Sequence, residues 1–278
     1  MERPTTSRRG ILEPEAGLRH FSLERRRPSP DLAGHVERHW IVRWDLRGSP
    51  PFEQEILPHP CVNLVAEPGL IAVHGIPAAR SAHRLSGAGM AVGTKFRPGG
   101  FAGFVDVPAS ALTGRAVPLR ELFGADGDAL ERTLAGCAGD PDAHIAAVEA
   151  FLRDRRPAPD PAFALVREVV ADMLVAPERT TVAELAARHG VSPRTLQRRF
   201  AELVGVSPKW VLQRYRLHVA AERIAAGEVT DHASLALELG YFDQAHFTRA
   251  FTAQIGRSPG AYARACAAAR EAPLGRAA

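Results

Sequence analysis

Apolar and polar positions alternate along "WIVRWDL" at residues 40–46: Trp40, Val42, Trp44 and Leu46 share one side, and Ile41, Arg43 and Asp45 the other. That period of two predicts a strand. "CVNLVAEPGLIAVHG" holds two short apolar runs around a Glu67-Pro68-Gly69 turn, and "GMAVGTKFRPGG" is a further strand closed by Pro-Gly-Gly. From Ala109 the period lengthens. "PLRELFG", "GDALERTLAG" and "PDAHIAAVEAFLRDRR" predict helices, the last with Ile145, Val148 and Leu152 at helical spacing. "RRPAPDP" has the composition of a linker, and from Pro161 to about Ala269 helix follows helix. The expected fold is α+β: a β-rich, sandwich- or barrel-like N-terminal domain with trailing helices, then an all-α domain. The expected boundaries are a flexible arm over 1–30, rich in Arg, Pro and Ser, the β-rich domain over 31–155, a linker over 156–161, the helical domain over 162–270 and a tail over 271–278.

Within the helical part a pattern recurs. "LQRRFAELVGVSP" at 196–208 returns as "FTRAFTAQIGRSP" at 247–259, so that Leu196, Arg198, Phe200, Gly205, Ser207 and Pro208 map onto Phe247, Arg249, Phe251, Gly256, Ser258 and Pro259 at an offset of 51. The punctuation parses each copy. Thr181 with Glu184 forms a capping box, Gly190 ends the first short helix, and Ser192-Pro193 starts the second. In the second copy "DHASLALEL" ends at Gly240 and Asp243 caps the next helix. Leu185-Ala186 return as Leu235-Ala236 at an offset of 50, which places one extra residue in the second turn. Helix, glycine turn, helix is the helix-turn-helix unit, present twice. Between the copies "KWVLQRYRLHVAAERIAAG" has no breaker before Gly227 and predicts one long connecting helix.

Composition adds little to this. Hydrophobic content of 46%, charged content of 24% and a net charge of +4 describe a globular protein whose basic balance permits an anionic partner without demanding one. Cys61, Cys137 and Cys266 are scattered and contain no Cys-x-x-Cys pair, which points away from zinc sites and disulfide frameworks and suits a reducing cytoplasm. No run of signal or membrane-span length occurs, so neither export nor a membrane partner is expected.

The doubled unit, the connecting helix and "LGYFDQAHFTRAFTAQIGRSPGAYAR" resemble the AraC/XylS family of bacterial transcription regulators over about Phe163 to Arg264. The resemblance implies a cytoplasmic regulator whose two helix-turn-helix subdomains contact one face of double-stranded DNA, with activator and repressor both open as its sign. On the first reading helix the face turned away from Leu196 and Phe200 presents Arg194, Gln197 and Arg198, which suit guanine and adenine edges and stand where the family places base contacts. The equivalent set on the second helix is Gln244, Ala245, Thr248 and Arg249, the last with an ion pair to Glu238 as the alternative. Arg199, Lys209, Arg214 and His246 are candidates for the DNA backbone.

For the N-terminal domain the resemblance implies a small-molecule sensor, a homodimerisation element or a contact for RNA polymerase, and names no effector. Trp40, Trp44, Lys95 and Arg97 are candidates to line a cavity for an aromatic or anionic ligand, although tryptophans on an inner strand face are more often plain core. An enzyme or metal module is the rival from another class. His59, Cys61, His74 and His83 lie close in sequence, but no His-Glu-x-x-His and no Gly-x-Ser-x-Gly is present, so no catalytic residue, metal ligand or cofactor is assigned.

Overall fold

The alternation at 40–46 belongs to a strand that runs from Val36 to Leu46 at the heart of an antiparallel sheet. The structure is a computed structural model that describes residues 9–77, 80–137, 139–178 and 180–272. Its strands are β1 (Ser22–Arg26), β2 (Val36–Leu46), β3 (Phe52–Ile56), β4 (Asn63–Glu67), β5 (Leu70–His74), β6 (Ser81–Leu85), β7 (Gly87–Phe96) and β8 (Ala116–Pro118). Six of them form one sheet in the order β1-β2-β7-β4-β5-β8, and β3 pairs with β6 in a separate ribbon. A short helix, α1 (Pro14–Gly17), precedes them; α2 (Leu119–Phe123), α3 (Ala125–Gly136) and α4 (Pro141–Asp154) follow.

The two faces of the sheet meet different neighbours. Leu64, Val73, Phe96 and Val117 point to one side and form a core with Leu130, Val148 and Leu152 of α3 and α4. Buried His39 on that side bonds Glu149 of α4 at 3.1 Å. The other side carries Trp40, Val42 and Trp44, half-buried, and faces the β3–β6 ribbon across a cavity.

One expectation is corrected here. Residues 1–8 lie outside the described residues, but from Arg9 the anticipated arm is built into the fold. Gly10 and Leu12 exchange backbone hydrogen bonds with Leu57 and Glu55, and β1 pairs with β2. Leu12 and Phe21 are buried, so a stretch whose Arg, Pro and Ser content suggested disorder holds enough apolar anchors to dock.

Residues 156–160 connect without regular structure to α5 (Pro161–Val175), α6 (Val182–Arg188), α7 (Pro193–Leu203), α8 (Pro208–Ala226), α9 (His232–Glu238), α10 (Gln244–Ile255) and α11 (Pro259–Glu271). They form two cores. Val211, Leu212 and Tyr215 at the start of α8 pack with α5, α6 and α7. Leu217, Ala220 and Ile224 at its end pack with α9, α10 and α11. A single helix of 19 residues, about 28 Å long, is thus common to both.

The N-terminal domain touches both units. Thr113 donates to the Gly205 carbonyl behind α7 at 2.9 Å. Arg257, between α10 and α11, pairs with Glu55 at 2.9 Å and Glu13 at 2.5 Å. His59 stacks on His218 of α8 with ring centres 4.2 Å apart.

Candidate nucleic-acid interface

The recurring residues occupy equivalent places. α7 starts at Ser192, whose hydroxyl accepts from the Thr195 amide, and α10 starts at Asp243, whose carboxylate accepts from the His246 amide. Both caps satisfy amides that the first helical turn leaves unpaired. Both helices are followed by a glycine in the left-handed region, Gly205 at φ +94° and Gly256 at φ +84°. Each is followed in turn by a Ser-Pro start, Ser207-Pro208 for α8 and Ser258-Pro259 for α11. Four residues, 189–192, separate α6 from α7, and five, 239–243, separate α9 from α10. The extra residue inferred from the two offsets is in that turn.

The apolar stripes seat both helices. Leu196 and Phe200 of α7, and Phe247, Phe251 and Ile255 of α10, are fully buried. Helical periodicity turns the polar residues outward: Arg194, Gln197 and Arg198 are exposed on α7, as are Gln244, Ala245, His246 and Arg249 on α10, with Thr248 half-buried. Arg198 and Arg199 share Glu202, at 3.2 and 3.1 Å. An exposed pair of this kind is worth about 0–1 kcal/mol, so a stronger anion can replace Glu202. Arg249 has no ion pair among the described residues; Glu238, its anticipated partner, is bonded instead by Arg223 of α8 at 2.6 Å. Lys209 is exposed on the first turn of α8.

Arg214 does not belong to this surface. It is 2% exposed, lies over the Trp210 ring at 4.3 Å and donates to Gln254 of α10 at 2.7 Å. Burial pushes its pKa down to about 10. Position 214 falls on the inward stripe of α8 between Val211 and Leu217, so the charge that suggested exposure is misleading there. Two further residues carry weight that sequence reasoning missed. Arg216 of α8 donates to the carbonyls of Pro177 at 2.9 Å, Thr180 at 3.1 Å and Gly240 at 3.5 Å, tying the first unit to the turn of the second. Phe242, beside the start of α10, is 87% exposed. Its neighbour Tyr241 is buried, and inside a turn no periodicity distinguishes the two.

Residues 185–265, which hold both units, match the family described as a helix-turn-helix domain. Over 82 residues the chain is 39% identical to an AraC-like transcription regulator of Streptomyces lividans and 37% identical to one of Streptomyces antibioticus. The C-terminal part of this chain is an AraC-type helix-turn-helix domain. The segments shared with the two Streptomyces proteins cover 30% of this chain and 27% of each relative's length. Ahead of the AraC-type domain, residues 24–118 match a domain family of unknown function (DUF6597). Among solved structures, the DNA-binding domain of AdpA in complex with a target DNA is 29% identical, covering 41% of this chain and all (100%) of that one with a TM-score of 0.35. The C-terminal domain of AraT, a response regulator from Geobacillus stearothermophilus, is also 29% identical, covering 38% of this chain and 85% of that one with a TM-score of 0.34. The likeness to ToxT from Vibrio cholerae covers 88% of this chain and 98% of that one, at 10% identity and a TM-score of 0.38. Among the described residues no helix is long and apolar enough to cross a membrane, and no cluster of three or more His, Cys, Asp or Glu is arranged to hold a metal ion.

Proposed function

We propose that the protein is a cytoplasmic, sequence-specific transcription regulator that binds double-stranded DNA through α7 and α10 and that its N-terminal domain modulates this binding. One observation carries the proposal: the same capped helix with a buried aromatic stripe and an exposed polar edge occurs twice, fixed to a single shared helix. A spacer of about 28 Å suits two helices entering successive major grooves, which recur about every 34 Å along one face of the duplex.

In this reading Arg194, Gln197 and Arg198 contact base edges, and Gln244, Ala245, Thr248 and Arg249 form the second contact set. Arginine matches guanine O6 and N7, glutamine matches adenine N6 and N7, and Ala245 and Phe242 suit a thymine methyl. Arg199, Lys209 and His246 face phosphates, aided by the N-termini of α8 and α11. Activation through contact with RNA polymerase, and homodimerisation through the N-terminal domain, are further roles that this placement leaves room for. Footprinting the full chain on the DNA upstream of its own coding sequence tests the proposal. Protection of two stretches about one helical turn apart is expected; uniform, sequence-independent coverage would refute it.

A further inference from the structure

The cavity of the N-terminal domain has a volume of about 300 Å³, within the range of small-molecule sites, and lies between the six-stranded sheet and the β3–β6 ribbon. Its floor is aromatic. Trp40 stands opposite Gly93 and Trp44 opposite Gly89 in the β2–β7 register. A Cβ at either glycine would collide with the facing indole, so both rings lie flat over β7. Trp40 Nε1 donates to Asn63 Oδ1 at 3.3 Å and Trp44 Nε1 to the Ser86 carbonyl at 3.1 Å. With the N–H groups engaged by protein, the ring faces are what the cavity offers a guest.

One end of that floor is polar and positive. Lys95 on β7, Asn63 on β4 and His74 on β5 are lateral neighbours in register, and all three line the cavity. Lys95 is 6% exposed and its ammonium bonds Glu37 at 3.0 Å. Glu37 also accepts from Arg38 at 2.7 Å, so two cations share one carboxylate. His74 Nε2 is buried with no hydrogen-bond partner among the described residues. A buried ring nitrogen in that state is costly unless something fills its place. Glu67, the acidic residue on this face, belongs to the opposite end of β4, and its charge still acts on His74, so Lys95 is the cation that must carry an anionic guest.

We infer that this cavity is a binding site for a small planar apolar carboxylate, its ring system against Trp40 and Trp44 and its carboxylate between Lys95 and His74. The inference deepens the regulatory reading and rests on it for its consequence, because His59 lines the same cavity and stacks on His218 of the shared helix α8. Binding itself is measured without DNA, so the two stand or fall separately.

The test is isothermal titration calorimetry of the full chain with 2-naphthoate, the uncharged 2-naphthamide and decanoate. One 2-naphthoate per chain is expected, bound more tightly than either comparison compound. Lys95→Met should weaken 2-naphthoate about tenfold or more, the scale of a lost charge-assisted hydrogen bond, and leave 2-naphthamide unchanged. Trp40→Leu should weaken both naphthyl compounds. His74→Ala removes no observed hydrogen bond, so it keeps the test decisive if Lys95→Met does not fold; it too should weaken 2-naphthoate selectively. No saturable heat with 2-naphthoate, equal affinity for the amide, tighter decanoate, or indifference to these substitutions overturns the inference. Fluorescence anisotropy on the footprinted DNA, with and without 2-naphthoate, then reports coupling. DNA binding that persists while calorimetry is blank removes the ligand site and leaves the regulator.

Discussion

Arg198 and Arg214 are the same residue type in adjoining helices, and their surroundings give them opposite uses. Arg198 is exposed and, among the described residues, held by Glu202, so its guanidinium can exchange that carboxylate for a guanine edge. Arg198→Ala should cost about 1–3 kcal/mol on the specific site and relax preference at one base pair. An equal loss on a random duplex, in the same anisotropy titration, would assign Arg198 to a phosphate. Arg214 is sealed between Trp210 and Gln254. Arg214→Ala should lower the melting temperature while the slope of log affinity against log salt stays as in the parent, whereas Lys209→Ala should reduce that slope by about 1. The outward sets on α7 and α10 were legible because a strong apolar stripe fixes which way the remaining positions turn. Arg214 was not, since a basic residue on an inward stripe is seen only once the partner that accepts its hydrogen bond is known. Arg216 was hidden for the same reason: its acceptors are backbone carbonyls from two distant turns.

At the level of elements, the helices of the C-terminal domain announce themselves and several strands do not. Serine, threonine and aspartate caps open the helices, prolines stand in the first turns of α7, α8 and α11, glycines follow α6, α7, α8, α9 and α10, and the doubled pattern supplied its own check. β3 ("FEQEI") and β6 ("SAHRL") are five residues long and mostly polar, and their pairing joins segments far apart in sequence, which local alternation cannot signal. The closing glycines are not equivalent. A Cβ on Gly205 would stand 2.7 Å from the Ala109 carbonyl oxygen, in addition to the strain of φ +94°. On Gly227, at φ +77°, it would meet only the movable end of the Arg270 side chain at 3.2 Å. Gly227→Ala should therefore cost about 1–2 kcal/mol from the left-handed backbone alone. Gly205→Ala should cost more, because the 3-10 turn Ala109–Leu112 must also shift. Denaturant melts of the two variants compare them directly, and a Gly205 variant as stable as the Gly227 one would contradict the close approach.

Across the whole molecule, buried histidines make stability depend on pH. Burial pushes His59 and His218 well below their ordinary pKa of 6.5, and His144 down to about 4. Each stays neutral in the folded chain where the unfolded chain would take up a proton. Their contribution is therefore complete above about pH 6.5 and is lost progressively as pH falls below it. The melting temperature should drop between pH 7 and pH 5, and His144→Leu should make that drop shallower; a rise on acidification would count against it. None of this was visible in the sequence, where the stacking of His59 on His218 joins positions in different domains.

The two-sided seating of the C-terminal units on the N-terminal domain has a consequence for the shape of acceptable DNA. Thr113 grips the back of one unit, and the Glu55–Arg257 pair grips the other. The body that bears the cavity thus acts as a gauge block, setting the same interval that α8 sets, from the opposite flank. Operators lengthened or shortened by a base pair should be rejected more harshly by the intact chain than by one carrying Glu55→Gln and Thr113→Val, and a ligand that loosens either grip would widen the range of spacers tolerated.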